Sequence, residues 1–481
     1  MEKILAYNFS NNAPNLSNTP KSASTPWTNL YDKQRRDSNF AAVFQTKPNC
    51  YIAIRDHLGV VPLFYRISAN GHIRWSFTYN DLLEQNDTFK EAAVARFLGI
   101  PSAKVVDLFE DIHCVPPGTV LQVSPQGIEV RYTYTPHIEH LKISHEEALA
   151  TLEQLLDRAI ERTLKEDTVG LYLSGGMDSG LLGAVLAQKG VRVNAYTALP
   201  WGFGSDEEHY ARINVDNVGC AEHHLTPVDQ TRYQHYLESL ETLYRSPYAS
   251  TAALNIAAIW EQGHIAQEKQ VFFAQNTDTL TTSVPSQSYA TILGSLPPFL
   301  AAKLMPYFNQ GDLLRNYLNL VSHGRLSSHP YLREIDPSLP KHVRVALAGM
   351  LTAHTPSDSE VLNGISVACN QLASNPYYDM DLIEFYLSLP LRHKLAYNPK
   401  LKTLVSFDKS LFRALASKYL PHNLIYRKKA LTLARSSPEA RVFFEGLPKK
   451  YGNLVTQNDF ERLALGVLQT QYPWLFSKAA I

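Results

Sequence analysis

The stretch Leu171-Tyr172-Leu173-Ser174-Gly175-Gly176-Met177-Asp178-Ser179 combines residue types that could hold a nucleotide's phosphates. Two adjacent glycines let the backbone bend tightly and approach a ligand closely. The amides that follow would open a helix, where unpaired N–H groups and the helix dipole favour an anion. Ser174 and Ser179 add hydroxyl donors. Asp178 would repel bare phosphate, yet it suits the Mg²⁺ that travels with ATP. The commoner GxxxxGKS/T phosphate loop is excluded, because no lysine stands in the loop.

Such a loop needs a strand before it and a helix after it. VGLYLSGG reads as a short buried strand ending in glycine, and SGLLGAVLAQKG as a helix closed by Gly190. RVNAYTAL is a second strand and SDEEHYARINVDNVG a second helix. Strand, helix, strand, helix in this order predicts a parallel sheet with crossover helices. Upstream, Ser144 and Glu147 have capping-box spacing, and Ala148, Leu149, Leu152, Leu155, Leu156 and Ala159 recur at helical intervals. From about Phe40 to Tyr134 the pattern is short and β-rich, with turns at Ala69-Asn70-Gly71, Pro116-Pro117-Gly118 and Pro125-Gln126-Gly127. Residues 9–25, rich in Asn, Ser, Pro and Thr, read as a loosely held arm, and the chain beyond about 285 reads as mainly helical. The predicted fold class is α/β, a β-rich N-terminal domain followed by a parallel-sheet domain with a helical C-terminal part.

Composition narrows the partners. The 481 residues carry 45 Lys plus Arg against 45 Asp plus Glu, which leaves no bulk field for nucleic acid or an anionic membrane. Cys50, Cys114, Cys220 and Cys369 lie far apart, without disulfide-scaffold or zinc spacing. No signal-like N-terminus and no apolar run of about 18 residues is present, so a soluble, cytoplasmic protein is expected.

The loop resembles the pyrophosphatase loop of N-type ATP pyrophosphatases, and further ordered matches point to the asparagine synthetase superfamily. Arg55-Asp56-His57-Leu58-Gly59-Val60-Val61-Pro62-Leu63-Phe64-Tyr65 is similar to that family's RDxxGxxPLYY segment. Leu108–Ile112 with Val115–Gly118 resembles its strand-turn motif, and Asn375-Pro376-Tyr377-Tyr378-Asp379 with Leu382–Pro390 resembles PFLD…slP. Asp408-Lys409 with Leu411-Phe412-Arg413 is similar to DKxxLR, and Arg427-Lys428-Lys429 to RPK. The resemblance implies residues 1–137 as a degenerate, Ntn-type glutaminase-like domain, truncated and serving packing. It implies residues 138–481 as an ATP-pyrophosphatase (adenine nucleotide α-hydrolase-like) synthetase domain.

Two departures bear on function. Glutamine-hydrolysing members begin Met-Cys, whereas this chain begins Met1-Glu2, and a carboxylate supplies no thiol nucleophile. No glutamine hydrolysis is therefore expected. At Ala274-Gln275-Asn276-Thr277-Asp278 the family usually has SGEGSDE, or Tyr for the Glu. Gln275 can orient a nucleophile but cannot take its proton. Glu360 and Tyr378 are the substitute bases to weigh, against a solvated helix start for Glu360 and core packing for Tyr377 and Tyr378.

By resemblance, Asp178 and Asp278 hold Mg²⁺, while Ser174, Gly175, Gly176, Asp178, Ser179, Thr197 and Lys409 bind ATP. Lys409 would neutralise pyrophosphate, and Lys429 would meet the oxyanion of the tetrahedral intermediate, Gln275 and Glu360 completing the catalytic set. Lys428 is the neighbour with which Lys429 could be confused, and the motif's register favours Lys429. The Ser205-Asp206-Glu207 segment would cover the adenine pocket, and His223-His224 reads as a strand-edge pair. The implied activity is ATP-dependent amide formation through an acyl-adenylate, with an amine already in the substrate, as in β-lactam synthetases and lasso-peptide macrocyclases. The substrate would be a small molecule or peptide carrying carboxylate and amine, and a leader-peptide or maturation partner is compatible. Three alternatives stay open: an ammonia-dependent asparagine synthetase, an RNA-modifying enzyme and a non-catalytic ATP-binding relative.

Overall fold

The computed structural model describes residues 2–8, 40–99, 108–199, 206–227, 267–283, 296–304, 338–398, 403–407, 409–427, 445–451, 454–456 and 459–478, with scattered positions between 235 and 293 and residue 336. The arm expected at 9–25 lies outside the described residues.

The N-terminal part is antiparallel. Strands β1 (Glu2–Asn8), β2 (Phe40–Lys47), β3 (Cys50–Arg55), β4 (Phe64–Ile67) and β5 (Ile73–Ser76) precede helix α1 (Glu91–Gly99). After α1 come β6 (Ile112–Cys114), β7 (Thr119–Ser124) and β8 (Gly127–Thr133). They form one sheet of order β1-β2-β3-β7-β8 and a second of order β5-β4-β6. Phe40 to Phe44 are all buried, so β2 is covered on both faces and reads as an unbroken apolar run.

An extended linker leads to α2 (His145–Thr163), whose Ser144 and Glu147 form the reciprocal capping box that their spacing predicts. Next come β9 (Thr168–Tyr172), α3 (Met177–Gln188), β10 (Arg192–Leu199), α4 (Asp206–Val218), β11 (Glu222–Pro227) and β12 (Gln270–Phe272). Helices α5 (Thr277–Leu280), α6 (Pro298–Leu304), α7 (Lys341–Ala348) and α8 (His354–Ala368) lead to β13 (Leu372–Ser374). Then follow α9 (Met380–Ser388), α10 (Ser410–Ala416), α11 (His422–Ile425), α12 (Asp459–Gln471) and α13 (Pro473–Lys478).

The second large sheet is parallel throughout, in the order β11-β10-β9-β12-β13. From β9 the chain winds first one way, to β10 and β11, and then the other, to β12 and β13. That reversal opens a crevice beyond the carboxyl ends of β9 and β12, where open α/β sheets bind ligands. β13 and two short antiparallel hairpins, β14 (Leu395–Asn398) with β15 (Thr403–Phe407) and β16 (Lys450–Tyr451) with β17 (Leu454–Val455), interrupt the helical region expected after 285; strands of two to five residues give little signal in sequence.

The two parts are tied by buried polar contacts. Arg55 pairs with Glu360 on α8, and Tyr134 donates to Glu384 on α9. Asn363 Nδ2 donates to the Val60 carbonyl at 3.3 Å. The last two helices cross back: Leu465, Leu468, Tyr472 and Leu475 pack with Phe64, Val94 and Phe109 of the β-rich part. By sequence these helices follow the 137/138 boundary, while their apolar side chains complete the core of the β-rich part. Among the described residues, no helix is long and apolar enough to cross a membrane.

Candidate active site

The Ser174–Ser179 turn joins β9 to α3 at the switch point. Its N-cap is Gly176, with no side-chain capping bond, so among the described residues the N-cap leaves the first-turn amides of α3 without a side-chain acceptor. Ser174 Oγ accepts from Gly176 N at 3.0 Å, and the Ser174 and Ser179 hydroxyls lie 3.1 Å apart. Asn214, buried on α4, donates from Nδ2 to the Ser174 carbonyl at 2.7 Å and the Gly176 carbonyl at 3.0 Å. That clamp requires Gly180, since a Cβ there would stand 2.3 Å from Asn214 Oδ1. Sequence reading missed Asn214, whose type and position carry no motif.

The facing wall follows β12. Asn276 adopts φ +83°, a left-handed conformation that Asn tolerates better than most side chains. The turn aims Thr277 and Asp278 back across the crevice. Between the two walls stands Lys409, 6% exposed. Its Nζ donates to Asp178 Oδ2, to Asp278 Oδ1 at 2.8 Å and to Thr277 Oγ1 at 3.1 Å. Burial pulls the Lys409 pKa down, but the carboxylates of Asp178 and Asp278 outweigh it and hold the ammonium above its ordinary value. Three predicted residues from distant parts of the chain thus meet at one point.

The Asn375–Tyr378 segment fixes both walls. Tyr377 is buried among core residues, and its hydroxyl donates to the Asp178 carbonyl at 2.9 Å. Asn375 Nδ2 donates to the Gln275 carbonyl and Asn276 Nδ2 to the Tyr377 carbonyl, each at 3.2 Å. Tyr377 therefore acts as a core aromatic and as a positioning group together. Tyr378 is buried edge-on to Phe273, 6.3 Å between ring centroids.

Other predicted residues stand elsewhere. Thr197 is buried, its hydroxyl donating to the Leu173 carbonyl and lying 3.0 Å from His223 Nε2. His223 and His224 lie on the edge strand β11, where His224 stacks on Tyr196 and its Nε2 lies 3.0 Å from Glu222 Oε2. Ser205, Lys428 and Lys429 lie outside the described residues. Glu360 is neither a solvated helix start nor placed as a base: it is 2% exposed, paired with Arg55, and accepts from Tyr244 OH at 3.2 Å. A carboxylate so committed serves the joint between the two parts. Glu360→Gln should lower unfolding free energy by up to about 3–5 kcal/mol, because the fully buried Arg55 loses its ion-pair partner, with the neighbouring Asp56 left to offset part of its charge. Denaturant unfolding checks this; a variant of normal stability and lost turnover would restore Glu360 as a base.

Comparison with known proteins places the crevice within a known family. The asparagine synthase family model matches residues 151–465, which include both walls of the crevice and Lys409. This chain belongs to the asparagine synthase family. A glutamine amidotransferase domain model matches residues 34–135 of the β-rich part. A probable glutamine-hydrolyzing asparagine synthetase of Acanthamoeba polyphaga mimivirus is 23% identical over 84% of this chain and 64% of its own. The corresponding protein of Dictyostelium discoideum is 25% identical over 32% of this chain and 24% of its own. The chain thus spans less than two thirds of the length of these curated relatives. A solved NMN synthetase from Francisella tularensis aligns over 54% of this chain and 99% of its own, with 14% identity and a TM-score of 0.21, and adds nothing to the assignment.

Within this asparagine synthase family member, the crevice groups suit a polyphosphate with its cation. Asp178 Oδ1 is buried and has no hydrogen-bond partner among the described residues. An orphaned carboxylate oxygen beside a second carboxylate is a hard-oxygen donor set of the kind Mg²⁺ takes. Among the described residues, no group of three or more His, Cys, Asp or Glu could hold a metal. The remaining ligands would have to come from phosphate and water.

Proposed function

We propose that the chain is an ATP-dependent amide-forming ligase. A substrate carboxylate attacks the α-phosphorus of ATP, pyrophosphate leaves, and an amine then displaces AMP from the acyl-adenylate. The amine's proton passes to water or to the departing AMP phosphate, because Gln275 is an amide without basic character. The observation carrying this reading is the convergence of Asp178 and Asp278, from the ends of two strands, on the Lys409 ammonium.

In this reading the α3 amides, Ser174 and Ser179 hold the phosphates, and Lys409 neutralises the leaving pyrophosphate. Asp178, through its orphaned Oδ1, and Asp278 hold Mg²⁺, which when bound offsets phosphate charge. Gln275 orients the incoming group, and Lys429 meets the oxyanion. We read residues 138–481 as the ATP-pyrophosphatase half and residues 1–137 as a silent, glutaminase-like half that serves packing.

The nitrogen is proposed to come from the substrate itself, giving a lactam or a macrocycle. None of three thiols suits a glutaminase nucleophile. Cys114 is buried against Arg55, Cys220 is pushed by burial up to about 12, and burial also raises Cys369. Cys50 opens β3 in mid-chain and so carries no free amine beside its thiol.

The test is a product assay with MgATP and a panel of molecules carrying both carboxylate and amine. AMP and pyrophosphate should appear in equal amounts with an amide product, and added glutamine should release no glutamate. ADP and phosphate as products would overturn the reading.

A further inference from the structure

The phosphate loop already holds an anion. Gly175 N donates to Glu207 Oε1 at 2.8 Å, so a carboxylate from the first turn of α4 occupies an amide that a phosphate oxygen would use. The second oxygen of Glu207 accepts from Arg427 Nη2 at 2.8 Å. The Arg427 guanidinium lies over the Tyr210 ring, 4.7 Å from its centroid. Its other terminal nitrogen, Nη1, is 3.1 Å from where a Gly175 Cβ would stand, and it makes no hydrogen bond among the described residues. Both side chains are largely buried, at 10% and 14% exposure for Arg427 and Glu207.

We propose that Arg427 is a phosphate ligand of this loop and that Glu207 stands in for the phosphate until ATP arrives. The inference rests on the ATP-dependent reading above. Glu207 and a triphosphate cannot share the Gly175 amide, because both are anionic acceptors. When a phosphate oxygen takes that N–H, Glu207 is displaced and Arg427 loses its partner. The guanidinium, held over the Tyr210 ring, then presents its planar fork to the phosphate, a geometry that favours paired hydrogen bonds. The stand-in makes only part of the population competent for ATP, and apparent affinity falls by that fraction.

A purely structural ion pair predicts something different. Loss of either partner would then loosen the loop, and both variants would bind ATP more weakly. The stand-in arrangement predicts opposite signs. Glu207→Gln should tighten MgATP binding about threefold to tenfold, because an amide cannot hold Arg427 by charge. Arg427→Gln should weaken it about tenfold to a hundredfold, the range for one hydrogen bond to a charged group. Arg427→Lys should fall between them, as a point charge without the fork.

The measurement is calorimetry of the full chain with MgATP, repeated with inorganic pyrophosphate, and with thermal unfolding of each variant alongside. Glu207→Ala is the second variant, and it should also bind more tightly. Weaker or unchanged binding in both Glu207 variants, with a wild type that binds MgATP, overturns this inference and leaves the ligase reading standing. A wild type that binds neither probe removes the ligase reading, and this inference with it.

Discussion

Asp178→Asn and Asp278→Asn should each lower AMP formation by a factor on the order of 10³ or more, about 4 kcal/mol of transition-state stabilisation. The expectation follows from charge. Lys409 and the two carboxylates together carry one negative charge, enough to attract a divalent cation and yet keep the ammonium protonated. An asparagine preserves shape and one acceptor oxygen but removes that charge. At Asp178 it also replaces the orphaned Oδ1, either removing a hard oxygen or placing an unpaired amide in a buried site. Folding should be affected less than catalysis, since Lys409 keeps its other carboxylate and Thr277 Oγ1. The comparison is AMP release under saturating MgATP against the thermal midpoint of each variant. Turnover within tenfold of wild type in either one would mean that the crevice is not where ATP is cleaved.

Local signals carried much of this architecture, and long-range pairings carried the rest. The Ser144–Glu147 box, the strand before Ser174 and the helix ending near Gly190 are set by neighbours within a few residues, so they were legible. Lys409 and the two aspartates were legible for another reason: each sits inside an ordered motif. Glu360 was not, because its partner Arg55 is 305 positions away and nothing at spacing 305 marks a pair. Its polar character pointed to solvent, while tertiary pairing put it in the core. Asn214 escaped because its task is to hold two carbonyls of another element. The nearest sequence clue was Gly180, the small residue facing it, on a helix whose neighbouring positions are mostly apolar. The resemblance places the Ser205-Asp206-Glu207 segment over the adenine pocket, and in the structure Glu207 bonds the loop itself. Such an assignment depends on side-chain direction, which sequence spacing at a helix start leaves open.

The basic run Arg427-Lys428-Lys429 offers the sharpest separation of binding from chemistry, because its three members should give three different results. Arg427 is anchored beside the loop through Glu207 and Tyr210, so its loss should appear in ATP affinity. In the ligase reading proposed above, Lys429 meets the oxyanion formed when the amine attacks, and so would contribute only after both substrates are bound. Lys429→Ala should therefore leave ATP affinity nearly unchanged and lower turnover by a factor on the order of 10²–10³, the usual effect of removing one oxyanion partner. Lys428→Ala should be nearly silent. Lys409→Ala belongs to a fourth class, since it leaves Asp178 and Asp278 facing each other without their shared cation. It should weaken ATP binding as well as turnover. Calorimetry with MgATP and AMP release, measured on all four variants, decide the matter. Inactivity of Lys428→Ala with an active Lys429→Ala would shift the oxyanion assignment by one residue. Silence in both would move that role outside this run, while the Asp178–Lys409–Asp278 centre would still be tested by its own variants.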